Sequence, residues 1–159
     1  IDAGGGEPKQ LTFYPAQGPM PQRWGFDNQV YGWTPDGKSI LFRGWRDSTS
    51  ISQPHLYTVS VEGGLPTTLP MPVAGVGRYS PDGKQIVYSP KYRDSRTWNR
   101  YVGGWAQDLY IYDFAAKTAK NITNDPNTDR DPVWIGNGIY FIADRGEHLN
   151  LYRYDTASG

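Results

Sequence analysis

Trp33-Thr34-Pro35-Asp36-Gly37-Lys38 is the stretch that decides the fold, because it returns as Tyr79-Ser80-Pro81-Asp82-Gly83-Lys84. A weaker copy follows at Trp134-Ile135-Gly136-Asn137-Gly138. In the two full copies, proline presets φ at the first turn position, Asp tolerates the next position, and glycine adopts the left-handed conformation that reverses the chain. Each copy lies between two apolar runs, so each predicts a β-hairpin.

The hairpins belong to longer units that repeat the same order of strands. The first unit, at 27–70, predicts strands over 30–33, 39–43, 55–61 and 65–69. The second, at 75–124, predicts strands over 77–80, 85–89, 108–114 and 120–123. The third, at 129–159, predicts only three strands, over 132–135, 139–143 and 150–155. Both faces of the strand at 55–61 carry apolar side chains, as expected of a sheet packed between two neighbours.

The spacing within the units predicts that the third unit lacks its last strand. Tyr57 and Tyr110 each precede the aliphatic residue of the following strand by 12 residues. Counting 12 residues from Tyr152 gives position 164, whereas the chain has 159 residues. At the other end of the chain, residues 1–12 repeat the layout of a fourth strand and are predicted to be a spare outer strand. The corresponding fourth-strand aliphatic residues are Leu11, Leu69 and Ile122.

These repeats predict an all-β fold, a β-propeller made of four-stranded antiparallel blades with three blades in each chain. A β-sandwich is the alternative, but the strands of a sandwich rarely recur as similar units in a fixed order. Known propellers have about 4 to 8 blades, so three blades cannot close a ring, whereas two copies supply six. We therefore expect a homodimer with twofold symmetry that forms a six-bladed ring around a central channel.

The spare strand predicts how the two copies join. Residues 7–12 of one copy are expected to add the missing strand to the third blade of the other copy. The residues predicted at this interface are Leu11, Thr12, Tyr152 and Tyr154. The same pattern is compatible with a half-propeller that was excised from a longer chain or engineered.

The composition narrows the classes of partner. The 16 Lys and Arg residues balance the 16 Asp and Glu residues, so nothing in the overall charge favours nucleic acid or an anionic membrane. The chain has no cysteine, which excludes disulfides and Cys-ligated metals. No apolar run approaches the roughly 20 residues of a membrane helix, so we expect a soluble chain. The sequence is compatible with either a cytoplasmic or a periplasmic location.

Several motifs resemble the propeller repeats shared by TolB-like proteins and tricorn proteases. They are the Pro-Asp-Gly turns, the Leu-Tyr pairs at 56–57, 109–110 and 151–152, and the Gly-Gly-x-Pro-x-x-Leu link. The stretches at 96–105 and 128–134 resemble more specifically the amino-terminal six-bladed propeller of tricorn-type serine peptidases. The resemblance covers half of such a ring and implies a module beside a protease core, through which substrate or product passes. It implies no catalytic residue here, because the catalytic serine and histidine of that family lie in separate carboxy-terminal domains.

Candidate catalytic groups are scarce. The two histidines, His55 and His148, have no spacing that joins them into a metal site. The Gly-x-Ser-x-Gly motif of a nucleophile elbow is absent. Asp36, Asp82 and Asn137 are predicted to cap backbone amides in their turns. We therefore expect no catalytic residue, no metal and no cofactor, and we predict that the chain is not an enzyme.

Two regions are candidates for binding. Gln29, Arg130 and Asp131 precede predicted first strands and are expected near the mouth of the channel. A basic and aromatic loop is predicted either to pack over its own blade or a missing domain, or to bind a peptide carboxylate or an oligonucleotide. Its residues include Arg93, Arg96, Trp98, Arg100 and Tyr101.

Three functions are consistent with these observations. The first is a non-catalytic, self-assembling half of a tricorn-like ring, with a second copy of the chain as partner and peptide or missing protease domains as further partners. The second is a TolB-like scaffold that binds a peptide or another ligand. The third, a propeller enzyme that uses carboxylates in the channel, ranks last.

Overall fold

The computed structural model describes residues 4–13, 28–48, 50, 52–92, 101–146 and 148–159. The strands in these ranges are β1 Gln29–Trp33, β2 Ser39–Gly44, β3 His55–Ser60, β4 Thr67–Thr68, β5 Val76–Tyr79, β6 Gln85–Ser89, β7 Tyr110–Asp113, β8 Thr118–Asn121, β9 Asp129–Ile135, β10 Gly138–Ala143 and β11 Asn150–Asp155. In the described ranges there is no helix with the length and apolar character needed to cross a bilayer.

The strands form three antiparallel sheets, each with its strands in chain order, which we call blades. Blade 1 contains β1 to β4, blade 2 contains β5 to β8, and blade 3 contains β9 to β11. The all-β prediction is confirmed, and so is the order of strands within each repeat. Among the described residues, blade 3 has three strands, whereas blades 1 and 2 have four each.

The Pro-Asp-Gly turns connect the first two strands of blades 1 and 2 by the same set of hydrogen bonds. The hydroxyl of Thr34 donates to Asp36 Oδ1 over 2.6 Å, and the amide of Lys38 donates to the same oxygen over 3.1 Å. Ser80 and Asp82 repeat this arrangement, with a hydroxyl bond of 2.8 Å. Gly37 and Gly83 have φ values of 69° and 73°, which favour glycine. These local bonds explain why the hairpins are predictable from sequence.

The third turn differs from the other two. Only Gly136 and Asn137 separate β9 from β10, and Gly136 has a φ of 56°. Asn137 was expected to cap backbone amides as Asp36 does. Its side chain instead accepts a hydrogen bond from Arg153 over 3.2 Å. The shorter turn places Asn137 beside β11, which explains the difference.

Neighbouring blades pack face to face. At the junction of blades 1 and 2, Leu41 and Leu56 join Ile86, Tyr88 and Tyr112 in one buried cluster. The junction of blades 2 and 3 contains a second cluster, formed by Val87, Leu109, Ile139, Phe141 and Ala143. We call the side of a blade that faces the next blade its back face, and the opposite side its front face. Each junction joins a back face to the following front face.

The outer strands of blades 1 and 2 lie only approximately where the sequence predicts them. The structure shortens the predicted strand at 65–69 to β4, Thr67–Thr68, and it moves the strand expected at 120–123 to β8, Thr118–Asn121. Outer strands pair on one edge only, so their ends depend on the partner strand more than on their own pattern.

Two faces have no neighbouring blade among the described residues, the front face of blade 1 and the back face of blade 3. Trp33 is 61% exposed, and its cross-strand partner is Ile40 on the front face of blade 1. Leu151, on the back face of blade 3, is 68% exposed. The matching residues in the other blades, Leu56 and Leu109, are 1% and 0% exposed.

Residues 4–13 lie along blade 1. Leu11 packs against a small cluster on the front face formed by Phe42, Tyr57 and Val59. Lys9 Nζ donates to the carbonyl oxygen of Glu62 over 2.9 Å. The predicted strand at 7–12 has no ladder partner among the described residues.

Candidate functional site

The first strands of the three blades lie side by side, with β5 in contact with both β1 and β9. Gln29 and Arg130, which were predicted near a channel mouth, occupy matching positions on these strands. Gln29 pairs with Arg43 of β2, and Arg130 pairs with Ile142 at the matching position of β10. The first strands of the three blades therefore form one continuous surface.

Gln29 is the first residue of β1, and Arg130 and Asp131 lie inside β9, whereas all three were predicted to precede their strands. The register of β9 against β10 shifts between the pairs of Tyr140 and Ile142, which leaves an irregularity at 131–132. Asp131 has a φ of 55°, consistent with a bulge in the strand. Its carboxylate accepts a hydrogen bond from Arg130 over 2.7 Å, and its side chain is 62% exposed. The bulge lets the strand begin three residues earlier than the predicted start at 132.

A notch of about 260 Å³ opens between the first strands and is lined by aromatic rings. Arg78 of β5 lies in it, with its guanidinium 5.2 Å from the centre of the Tyr31 ring. Burial lowers the pKa of Arg78, while Tyr31 and Asp131 act in the opposite direction. Trp33, Tyr79 and Trp134 also line the notch. Burial raises the pKa of Tyr79 to about 12, so this phenol stays neutral.

A buried arginine fixes one wall of the notch. Arg43 is fully buried and donates from Nη1 to the Tyr31 hydroxyl over 2.8 Å and to the Gly75 carbonyl over 3.1 Å. The Tyr31 hydroxyl donates to the same carbonyl over 2.6 Å. The guanidinium also lies 4.5 Å from the centre of the Tyr92 ring. These contacts connect blade 1 to the segment that enters blade 2.

A buried carboxylate begins β9. Asp129 is 0% exposed, and its Oδ1 accepts a hydrogen bond from Arg145 Nη2 over 3.0 Å. Burial raises the pKa of Asp129 to about 6 in spite of that ion pair. Its amide donates to the Gln107 carbonyl over 2.7 Å, which ties blade 3 to the loop that precedes β7. The second carboxylate near Arg145 belongs to Asp125, and its negative charge raises the pKa of Asp129 further.

This carboxylate predicts an unusual pH dependence of stability. The pKa of Asp129 is higher in the folded chain than the ordinary 3.8, so the folded state binds the proton more tightly. The free energy of unfolding is expected to rise by about 1.4 kcal/mol between about pH 7.5 and about pH 5. Urea denaturation at the two pH values measures this difference.

Asp129→Asn is expected to remove this rise, whereas Asp131→Asn, at an exposed carboxylate, should keep it. The carboxylates whose pKa is lowered titrate below this range and do not obscure it; they are Asp36, Asp82, Asp113 and Asp155. A wild-type chain that is equally stable at both pH values would contradict the prediction.

The predicted interaction loop falls mostly outside the described residues, since Arg93, Arg96, Trp98 and Arg100 are among those not described. Tyr101 is described and lies next to Gly103, with its hydroxyl 2.5 Å from where a Cβ on that glycine would be. No group of three or more His, Asp or Glu side chains in the described part of the chain is arranged to hold a metal ion. His55 lies at the start of β3 and His148 just before β11.

Comparison with known proteins gives one family over the full length. The sequence profile described as the tricorn protease N-terminal β-propeller domain matches residues 1–159. A curated relative, the uncharacterized protein Atu1656 of Agrobacterium fabrum, is 31% identical over 110 residues, or 65% of this chain. The chain spans only 31% of the length of that relative.

Solved structures show the same fold. TolB from Acinetobacter baumannii is 24% identical over 84% of this chain, with a TM-score of 0.62, and 31% of the TolB chain is covered. The β-propeller domain of the Trilobed protease from Pyrococcus furiosus, which has an open velcro topology, is 15% identical over 82% of this chain. Its TM-score is 0.55, and 40% of that chain is covered.

Proposed function

The chain belongs to the family of tricorn protease N-terminal β-propeller domains, and from this premise we propose that it is a non-catalytic module that forms half of a six-bladed ring. Two copies close the ring around a central channel. The back face of blade 3 in each copy packs on the front face of blade 1 in the other. The arrangement has twofold symmetry, because each copy contributes the same two faces.

One observation carries this proposal, the exposure of Leu151 and Trp33, whose counterparts in other blades pack at blade junctions. Leu151 is 68% exposed, whereas Leu56 and Leu109 occupy the same place on their back faces and are buried against the next blade. On the front faces, Trp33 is 61% exposed, while Trp134 is partly buried in the junction of blades 2 and 3. Phe42, Tyr57 and Val59, on the same face as Trp33, are buried within the chain. Leu151 and Trp33 therefore occupy positions at which other blades of the chain form their junctions.

The exposed apolar side chains on the back face of blade 3 extend beyond a single leucine. Val133 and Ile135 of β9 are 43% and 62% exposed. Val133 pairs with Tyr140, and Leu151 pairs with Ile142. These side chains share one side of the sheet, as cross-strand pairs do. An apolar sheet face of this kind favours association, and another blade is the partner whose shape fits it.

The solution mass tests the proposal. Light scattering coupled to size-exclusion chromatography, over a concentration series from low micromolar upward, is expected to give twice the 17.9 kDa of one chain. Leu151→Arg is expected to give a monomer, because it places a charge in the junction. Leu65→Arg is the matched control, since Leu65 is 95% exposed in the link before β4 and should leave the dimer intact. A wild-type monomer throughout the series would contradict ring closure by two copies.

The aromatic notch favours a second function, binding of a peptide or another small ligand with an anionic group. Arg78 supplies a charge in a partly buried site, and Tyr31, Trp33 and Trp134 supply flat apolar surface. Titration with a mixture of short peptides, followed by Trp fluorescence, tests this function. Binding that is lost in Arg78→Gln and weakened in Arg130→Ala would support it. Unchanged fluorescence with every peptide would count against it.

A further inference from the structure

We propose that the open edge of β11 binds residues 7–12 of a second copy as the fourth strand of blade 3. The inference rests on the proposed ring, and it adds the segment and the register through which the two copies recognise each other. β11 pairs with β10, and no strand among the described residues pairs with its other edge. In blades 1 and 2 the corresponding edge carries β4 or β8.

The first argument is the position of Leu11. Leu69, just after β4, packs in the cluster at the front of blade 2, and Ile122, just after β8, packs against the cluster at the front of blade 3. Leu11 packs against the cluster at the front of blade 1. Relative to the blade that follows, Leu11 therefore occupies the place of a fourth-strand residue.

The second argument is the backbone that leads into the segment. Gly63 and Gly64 precede β4 with φ values of 94° and 108°. Gly5 and Gly6 have φ values of 91° and 135°, so both glycines are again in conformations that favour glycine. Pro8 follows at the same distance as Pro66. The chain therefore enters residues 7–12 by the same kind of turn that leads into β4.

The register follows from the blades that have four strands. The amide of Leu69 donates to the Leu56 carbonyl over 2.8 Å, and the amide of Ile122 donates to the Leu109 carbonyl over 2.9 Å. By equivalence, the amide of Leu11 donates to the Leu151 carbonyl of the second copy. Thr68 lies opposite Tyr57, and Asn121 lies opposite Tyr110. Gln10 is therefore expected opposite Tyr152 of the second copy.

The segment needs no large movement to reach this place. It already lies on blade 1 of its own chain, held by Leu11 and by the hydrogen bond from Lys9 to Glu62. Blade 3 of a second copy would dock on the same face of blade 1, so its open edge would arrive beside residues 7–12. Added strands of this kind are held by backbone hydrogen bonds, and side chains set the register.

Paired cysteines test both the partner and the register, because the natural chain has no cysteine. Gln10→Cys combined with Tyr152→Cys should place the two Cα atoms within the roughly 4.4–6.8 Å that a disulfide requires. Mild oxidation is expected to convert most of this full-length variant into a covalent dimer on a non-reducing gel. Gln10→Cys combined with Asn150→Cys, two residues out of register, should cross-link at least several-fold less.

A second cysteine pair provides the same test if the first variant fails to fold. Lys9→Cys with Arg153→Cys replaces two exposed side chains and corresponds to the pair Thr67 and Thr58 of blade 1. Efficient intermolecular cross-linking of either in-register pair supports the proposal. Equal cross-linking in and out of register, a disulfide within one chain, or no cross-link in either pair would overturn it.

The reduced variants separate this inference from the ring itself. If they keep the mass of a dimer but do not cross-link, the ring survives and the exchanged strand is wrong. If they and the natural chain are monomers, both proposals fail. A dimer that cross-links in register supports both.

Discussion

Leu56→Ala is expected to lower the free energy of unfolding by about 2–5 kcal/mol, because it removes a side chain that is 1% exposed at the junction of blades 1 and 2. The methyl groups of Leu56 fit there because Gly77 has no side chain; a Cβ on Gly77 would lie 2.5 Å from Leu56 Cδ1. Alanine would leave a cavity between the two packed sheets. Urea denaturation followed by Trp fluorescence measures the loss.

The chain provides matched controls for this substitution. Leu109→Ala, at the same place in blade 2, should cost a similar amount because Leu109 is 0% exposed. Leu151→Ala, at the same place in blade 3, should change the unfolding of a separated subunit by less than about 0.5 kcal/mol. It should instead weaken the association of two copies. Equal losses at all three positions in a separated subunit would contradict the exposure of Leu151 on the back face of blade 3.

Gly75→Ala is expected to destabilise the chain by about 2–3 kcal/mol, the upper range for overpacking, because its new methyl would collide with backbone. A Cβ on Gly75 would lie 2.7 Å from the carbonyl carbon and oxygen of Lys91 and 2.9 Å from the amide nitrogen of Tyr92. The clash would also displace the Gly75 carbonyl, which accepts hydrogen bonds from Tyr31 and Arg43. Thermal denaturation monitored by circular dichroism would report the loss as a lower Tm.

Gly104→Ala is the control for the Gly75 substitution, because a Cβ there would meet no atom within 4 Å. Its effect on stability should stay within about 0.5 kcal/mol. If Gly75→Ala had an equally small effect on stability, the backbone at Gly75 could move away from the backbone of Lys91 and Tyr92 at little cost in free energy. The wall of the notch formed by Tyr31 would then be less rigid than its contacts indicate.

The hairpins could be predicted from sequence because their information is local. Thr34 and Ser80, with the Asp two residues later, complete their hydrogen bonds within a single turn. The ends of β4 and β8 were less predictable, because they depend on which edge residues of β3 and β7 remain free to pair. The difference at Asn137 has the same origin, since its partner Arg153 lies 16 residues away in sequence.

The candidate site was only partly predictable. The repeat placed Gln29 and Arg130 at equivalent positions, but it gave no reason to select Arg43, Arg78 or Asp129. Arg43 follows two apolar strand residues, and only its fully buried position shows that it holds Tyr31 against the next blade. The pKa of Asp129 likewise depends on burial by residues distant in sequence. An arginine inside an otherwise apolar strand is the one signal that could have been used.

Blade 2 is covered on both faces, and this affects which part of the chain unfolds locally first. The buried clusters among the described residues join each blade to the next one along the chain, so local opening depends on how many neighbours cover a blade. In the described part of the chain, blade 2 packs against two blades, whereas blades 1 and 3 each pack against one. In a separated subunit, amide protons in β6 should therefore exchange with solvent more slowly than those in β10, and local unfolding should begin at blades 1 and 3.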